Sequence, residues 1–339
     1  MEQTTEQIYQ FDPGNNKKGK KGLKIWILIL LGVLLLGILF SAVGCNIITG
    51  TEKEKKPNEP YIGVLFVEGA ITSDNNDTWG IPYGYQHQFT LNTIDDLMVD
   101  RNNKGIMLFV NSPGGGVYES DELYFKLKEY KNTTDRPVYA YMGSMAASGG
   151  YYISAPADKI LANRNSWTGS IGVTIGTLFD VSELLENYGI KSVTITSGKN
   201  KAMGSMMDPL TAEQKEIFQT LVDEAYLQFV NIVADERNIE LEATKKIADG
   251  RIYTAKQALE LNLIDAICSY EDALADMAKT YDLHDCEVYN FTYKDTSFLG
   301  LLFSKTPLPN LPKSDAEAVL SLIESDVKFP ISYLCEVLN

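Results

Sequence analysis

Histidine is nearly missing from this sequence. Only His87 and His284 occur in 339 residues, which argues against a multi-histidine metal site and sends the search for a general base elsewhere. Cysteine is almost as scarce. Cys45, Cys268, Cys286 and Cys335 show no CxxC spacing and are too few and too scattered for a zinc site or a disulfide scaffold. They read as free thiols, with a Cys268–Cys286 pair open only if that part of the chain lies outside the cytoplasm. Basic charge is also short: 30 Lys plus Arg against 45 Asp plus Glu leave −15, a balance that repels phosphate backbones and excludes nucleic acid as a partner. The residue set calls for no cofactor and no metal. Apolar residues, at 45%, suffice for a sizeable core and exclude disorder for most of the chain.

One uncharged run interrupts this acidic chain. Ile25 to Val43, IWILILLGVLLLGILFSAV, matches the roughly 20 residues with which a helix crosses the hydrocarbon layer. Lys17, Lys18, Lys20, Lys21 and Lys24 precede it, whereas TEKEKKPNEP beyond it mixes three lysines with three glutamates. The positive-inside bias therefore puts residues 1–24 in the cytoplasm, residues 25–44 in the membrane and the rest on the far side. A cleaved signal peptide is disfavoured by the length of the run, and a lipoprotein signal at Cys45 by Ala42 standing where leucine is usual. Residues 45–60 read as a solvated linker. From Tyr61 onward 22 basic and 39 acidic residues leave −17, so this part is held off anionic lipid and favours neutral or basic apolar segments as substrates.

Beyond the linker, short apolar or β-branched runs alternate with helical spacing. Ile62–Val67, Ile106–Val110, Val138–Met142, Ile160–Ala162 and Val193–Thr196 read as strands, and Asp121–Tyr130 and Val181–Tyr188 as helices. That order implies an α/β domain with a largely parallel sheet. Past residue 208 the pattern turns helical: Thr211–Gln214 is a capping box before apolar positions at Ile217, Leu221, Val222, Ala225, Phe229 and Val233, and Thr254–Gln257 is a second box. Residues 296–339, with Pro307, Pro309, Pro312 and Pro330, read as an irregular arm.

Three clusters of small residues each follow a strand, where open α/β sheets place their crevice. The first, Asn111-Ser-Pro-Gly-Gly-Gly-Val117, lacks the Gly-Lys-Ser/Thr and GxGxxG spacings of phosphate cradles and suits an oxyanion hole. In the second, Gly143-Ser-Met-Ala-Ala-Ser-Gly-Gly-Tyr-Tyr152, Ser148 has small flanks and a helix about to start, which marks it as the candidate nucleophile. Ser144 competes, and close helix packing explains the same small residues equally well. A serine needs a base. His284 lies in a polar loop, Asp282-Leu-His-Asp285; a lysine is the other choice, and holding its amine neutral at pH 7 costs about 4 to 5 kcal/mol unless burial lowers its pKa. Lys199 and Lys201 sit in a stretch free of acidic residues, and Lys201, followed by Ala202, Met203 and Gly204, is the better candidate. The third cluster, Thr168-Gly-Ser-Ile-Gly172, offers Ser170 as a hydroxyl that could orient the amine.

Taken together, NSPGGG, SMAASGGYY, TGSIGV, SGKNK and ADGRIYTAKQALELNLID, in this order behind an apolar run, resemble the signal peptide peptidase A family over about Tyr61 to Ala275. The resemblance implies a Clp-protease/crotonase-like α/β domain of repeated β-β-α units over residues 61–295, with 296–339 as a C-terminal extension. It implies a membrane-anchored serine peptidase in which Ser148 is the nucleophile, Lys201 the general base and Ser170 the hydroxyl orienting the lysine. Gly114 and Gly115 match the oxyanion segment, and the Gly149 amide is a second donor. It further implies cleaved signal peptides and other apolar peptides as substrates, and a ring-shaped homo-oligomer in which the serine of one subunit meets the lysine of its neighbour. Three other readings stand beside it: an α/β-hydrolase esterase using Ser148 and His284, a crotonase-type acyl-CoA enzyme, and a membrane-tethered scaffold with a decayed site.

Overall fold

The computed structural model describes residues 56–74, 82–294 and 332–334. The expected membrane helix at 25–44, Cys45, and most of the linker and of the 296–339 extension lie outside the described residues.

Four apolar runs, with the more polar β9 at the edge, set the frame. β1 (Tyr61–Glu68), β2 (Asn103–Ser112), β4 (Val138–Ala147), β5 (Lys159–Ala162) and β9 (Glu287–Phe291) pair parallel. The sheet runs β7-β6-β4-β2-β1-β9, with β5 beside β4 and β8 (Ala266–Ile267) beside β5. β6 (Trp167–Gly169) also pairs parallel with β4, and β7 (Ile252–Thr254) closes that edge antiparallel to β6. The crossovers are helical: α1 (His87–Val99) between β1 and β2, and α2 (Val117–Thr134) before β4. A six-residue helix, α3 (Gly149–Ser154), follows β4. The parallel α/β sheet expected from the alternation is thus present.

Parallel strands covered on both faces need apolar residues at every position, and these strands supply them. Leu65, Val67, Ile106, Leu108, Val110, Val138, Ala140 and Met142 face a core completed by Ile94 and Leu97 of α1, Leu123 and Leu127 of α2, and Tyr151 and Tyr152 of α3. Ile62, Val64, Met107, Tyr139, Tyr141 and Leu161 face the opposite side, where α8 (Tyr270–Tyr281) contributes Ala273 and Met277. Each Val, Leu, Ile or Met among them stabilises the fold by about 1.5 to 3 kcal/mol.

Both expected capping boxes form. The Gln214 amide donates to Thr211 Oγ1 at 3.2 Å and opens α5 (Ala212–Arg237), while Gln257 does the same at Thr254 at 3.3 Å for α7 (Ala255–Glu260). Two expectations are corrected. Val193–Thr196 is not a strand: the segment pairs with no strand among the described residues, with Val193 84% and Ile195 93% exposed, because β-branched residues settle into a sheet only where a neighbouring strand supplies the ladder. The C-terminal extension is not irregular throughout, since Ser332–Leu334 forms β10, antiparallel to β3 (Gly114–Gly116). Cys268 and Cys286 are free thiols.

The base of the sheet is tied to α8 by polar contacts. Asp276 Oδ2 accepts from Lys159 Nζ at 2.7 Å and from the Tyr139 hydroxyl at 3.0 Å, and the lysine bond holds its carboxyl below the usual aspartate range. A carboxylate with a depressed folded pKa stabilises the fold above the unfolded value of about 3.9 and loses that contribution as pH falls through the folded value. Asp276→Asn is expected to lower the urea midpoint at pH 7, with the gap to the parent closing below about pH 4.

Candidate active site

β4 runs into Ser148 through a turn that few residues tolerate. Ser148 has φ +53 and ψ −117 and sits at the start of α3, a conformation that costs on the order of 1 to 3 kcal/mol outside glycine. The surroundings impose it. The Ser148 amide donates to the Gly169 carbonyl at 2.8 Å, and its own carbonyl accepts from the Tyr151 and Tyr152 amides at 2.9 Å. Ser148 is only 1% exposed, yet its hydroxyl makes no hydrogen bond among the described residues.

β3 lies alongside. Ile71 donates to the Gly114 carbonyl at 2.8 Å and accepts from the Gly116 amide at 2.8 Å. Strand alternation then turns the N–H and C=O of Gly115 to the other edge, where Tyr333 of β10 is its register partner. The Gly114 amide donates to Ser112 Oγ at 3.1 Å, whereas the Gly115 amide is turned to the edge that β10 occupies. A Cβ placed on Gly149 would stand 3.1 Å from the Gly115 nitrogen and 2.6 Å from Ser120 Oγ, so β3 passes directly beside the first turn of α3. The Gly149 amide has no acceptor among the described residues. Ser148, whose hydroxyl makes no hydrogen bond among the described residues, thus adjoins the backbone of Gly115 and Gly149, whose amides are of the kind that hold a developing oxyanion.

Ser170 joins this group. It follows Gly169, whose carbonyl takes the Ser148 amide, has φ +48, is buried, and donates its own amide to the Arg251 carbonyl at 2.7 Å. The chain therefore brings together Ser148, Ser170, Gly114, Gly115 and Gly149. It does not bring Lys201 to them. Lys201 lies in an exposed turn, its amide donating to the Gly198 carbonyl at 3.0 Å, and no hydrogen bond joins it to Ser148 or Ser170. The two lysines differ in one telling respect. Lys199 Nζ is ion-paired with Glu213 at 2.7 Å, and this bond lowers the Glu213 pKa, whereas Lys201 has no carboxylate partner among the described residues.

Two competitors drop out. Ser144 is exposed and donates to Asn111 Oδ1 at 2.6 Å. His284 lies in the turn before β9, at the amino end of a strand parallel to β4, whereas Ser148 follows the carboxy end of β4. The two residues occupy opposite ends of the sheet, so the Ser148–His284 esterase reading is wrong. The other histidine, His87, is engaged by Tyr85 and Glu122, each at 2.9 Å. Sequence reasoning missed Ile71, Asn111, Ser112 and the Arg251 carbonyl, whose parts depend on pairings between distant segments; only the first two residues of NSPGGG carried any signal.

Comparison with known proteins decides the class. The model of peptidase family S49 matches residues 130–284. A putative signal peptide peptidase SppA of Enterococcus faecium is 37% identical over 305 residues, covering 88% of this chain and 88% of its own. The chain belongs to the signal peptide peptidase A family and is a serine peptidase. A putative protease of Methanocaldococcus jannaschii, 34% identical over 83% of this chain and 90% of its own, is also similar. Protease 4 of Salmonella typhi is 35% identical over 64% of this chain and 34% of its own length. This membership sets aside the acyl-CoA and scaffold readings. For a peptidase of this family, the approach of β3 to Ile71 leaves no room at Gly115, where an added Cβ would collide with the Ile71 carbonyl. Gly115→Ala is expected to cut peptidase kcat by about 100-fold or more, the scale of losing one oxyanion donor, with the overall circular dichroism spectrum unchanged.

Proposed function

We propose that this chain is a membrane-anchored endopeptidase that degrades leftover signal peptides by a Ser-Lys dyad. The observation that carries the reading is Ser148, held at positive φ beside the backbone of Gly115 and Gly149, with a hydroxyl that makes no hydrogen bond among the described residues. Lys201 acts as general base, Ser170 orients its amine, and the glycine amides at 114, 115 and 149 form the oxyanion segment, with Gly115 and Gly149 donating. Neutral Lys201 takes the Ser148 proton as Oγ attacks the peptide carbonyl. The oxyanion is held by the amides, the protonated lysine passes its proton to the leaving amine, and water repeats the cycle on the acyl-enzyme.

The lysine comes from a neighbouring copy in this reading. Lys201 stands on a segment whose apolar side chains Leu178, Phe179, Leu184, Tyr188, Ile190, Val193 and Ile195 are all exposed, an amount of apolar surface that marks an interaction site. Covering it with a second copy also removes water from the amine, which a neutral lysine needs. The pairing of Ser332–Leu334 with β3 supports an extended peptide as the substrate shape, since backbone augmentation of an open strand is independent of side-chain identity. The apolar run at 25–44 and the lysines before it support an extracytoplasmic peptidase domain, in reach of signal peptides left in the membrane.

Purified detergent-solubilised Ser148→Ala and Lys201→Met are each expected to fall below about 1% of parental peptidase activity, a loss of the size seen when a nucleophile or its base is removed. Mixing the two separately purified variants is expected to restore activity, and Lys199→Met to keep it; full activity in Ser148→Ala, or loss in Lys199→Met with retention in Lys201→Met, refutes the assignment. Deleting residues 332–339 removes a tethered occupant of β3 and is expected to raise kcat/KM on a short peptide about threefold or more.

A further inference from the structure

β4 changes step immediately before the nucleophile. Its ladder with β2 runs in register to Val110↔Met142 and resumes at Ser112↔Ala146, so one residue of β2 faces three of β4. At the same place β4 exchanges its other neighbour, from β5 at Met142↔Ala162 to β6 at Met145↔Trp167. A bulge of this kind frees backbone groups from the ladder and re-aims the residues that follow. Several of those groups meet side chains. Asn111 Oδ1 accepts from the Met145 amide at 3.2 Å and from the Ser144 hydroxyl at 2.6 Å. On the far edge, Ser166 Oγ donates to the Met142 carbonyl at 2.9 Å and to the Gly143 carbonyl, and Thr168 Oγ1 donates to the Ala146 carbonyl at 2.6 Å. The Met145 amide can only donate, so the Asn111 atom that meets it is the oxygen.

The next residue of β2 serves the other half of the site. Successive side chains of a strand point to opposite faces, and Ser112 Oγ accepts the Gly114 amide at 3.1 Å. That bond engages the Gly114 amide, while Gly115 faces the edge that β10 pairs with and that a peptide would take in the proposed function. We infer that Asn111 and Ser112 are positioning residues of the reaction: one clamps the bulge that aims Ser148, the other selects the amide that meets the oxyanion, and their adjacency fixes the distance between the two. This inference rests on Ser148 being the nucleophile.

Asn111→Leu keeps the side-chain size and removes the acceptor, whereas Asn111→Asp keeps an acceptor for both donors. Three quantities are measured on the detergent-solubilised full chain: kcat and KM on a peptide, the rate at which a fluorophosphonate labels Ser148, and Tm. Asn111→Leu is expected to lower kcat and labelling about tenfold or more with KM within about threefold, as misplacing a reacting group by a fraction of an ångström does. Asn111→Asp is expected to stay within about threefold of the parent in all three. Ser112→Ala, which removes one hydroxyl and retains the fold, is expected to lower labelling about fivefold. Equal effects of Leu and Asp at 111, a loss confined to KM, or parental labelling in Ser112→Ala overturns the inference, and the serine variant alone decides it if Asn111→Leu does not fold. The label on the parent is located by mass spectrometry. Its absence from Ser148 refutes the nucleophile assignment, whereas a parent labelled there with unchanged rates in the variants refutes only the positioning roles.

Discussion

The close approach of three backbone segments governs this molecule. β3 passes between Ile71 and the first turn of α3, and at Gly115 and Gly149 the space for a side chain is already occupied by backbone or by Ser120. Only because those two Cβ atoms are missing can two amides and a serine share one small volume. The sheet, its two apolar faces and the crossover helices hold these segments at that spacing. Burial of the strand residues provides the driving force, and the hydrogen bonds of Ile71, Gly169 and Arg251 provide the direction.

In the proposed function, charge bears on which lysine serves the serine. An amine that has to be neutral there gains nothing from carboxylate neighbours, and Lys199 shows the alternative, paired with Glu213. Lys201 escapes that fate by standing two residues further along a turn. The segment bearing it carries β-branched residues that pair with no strand among the described residues, and its apolar side chains are exposed there. Both deficits are met by the same remedy, a partner surface, and so chemistry and assembly are joined in one stretch of sequence in the proposed function.

How much of this was written in the sequence differs by element. The long strands could be read because their apolar runs need no information beyond themselves, as Ile106–Val110 and Val138–Met142 show. The capping boxes at Thr211 and Thr254 were equally local. β3, β6, β7 and β8 have two or three residues each and owe their existence to partners far along the chain, so no local pattern announces them. Val193–Thr196 failed in the opposite sense, with strand-forming residues but no neighbour. At the site, the glycines and Ser148 were legible because small residues after a strand are conspicuous. Asn111 and Ser112 were passed over, although they begin the same motif, because an asparagine or serine at a strand end is ordinary until the opposing ladder is seen to slip.

The positive φ of Ser148 has a further bearing on how the protein ages. A serine in that conformation is kept there by neighbours on β6, α3 and the Arg251 loop, and relaxes toward commoner angles when any of them loosens. Opening there leaves the sheet and its two apolar faces in place, so that in the proposed function a heated copy falls silent before it unfolds.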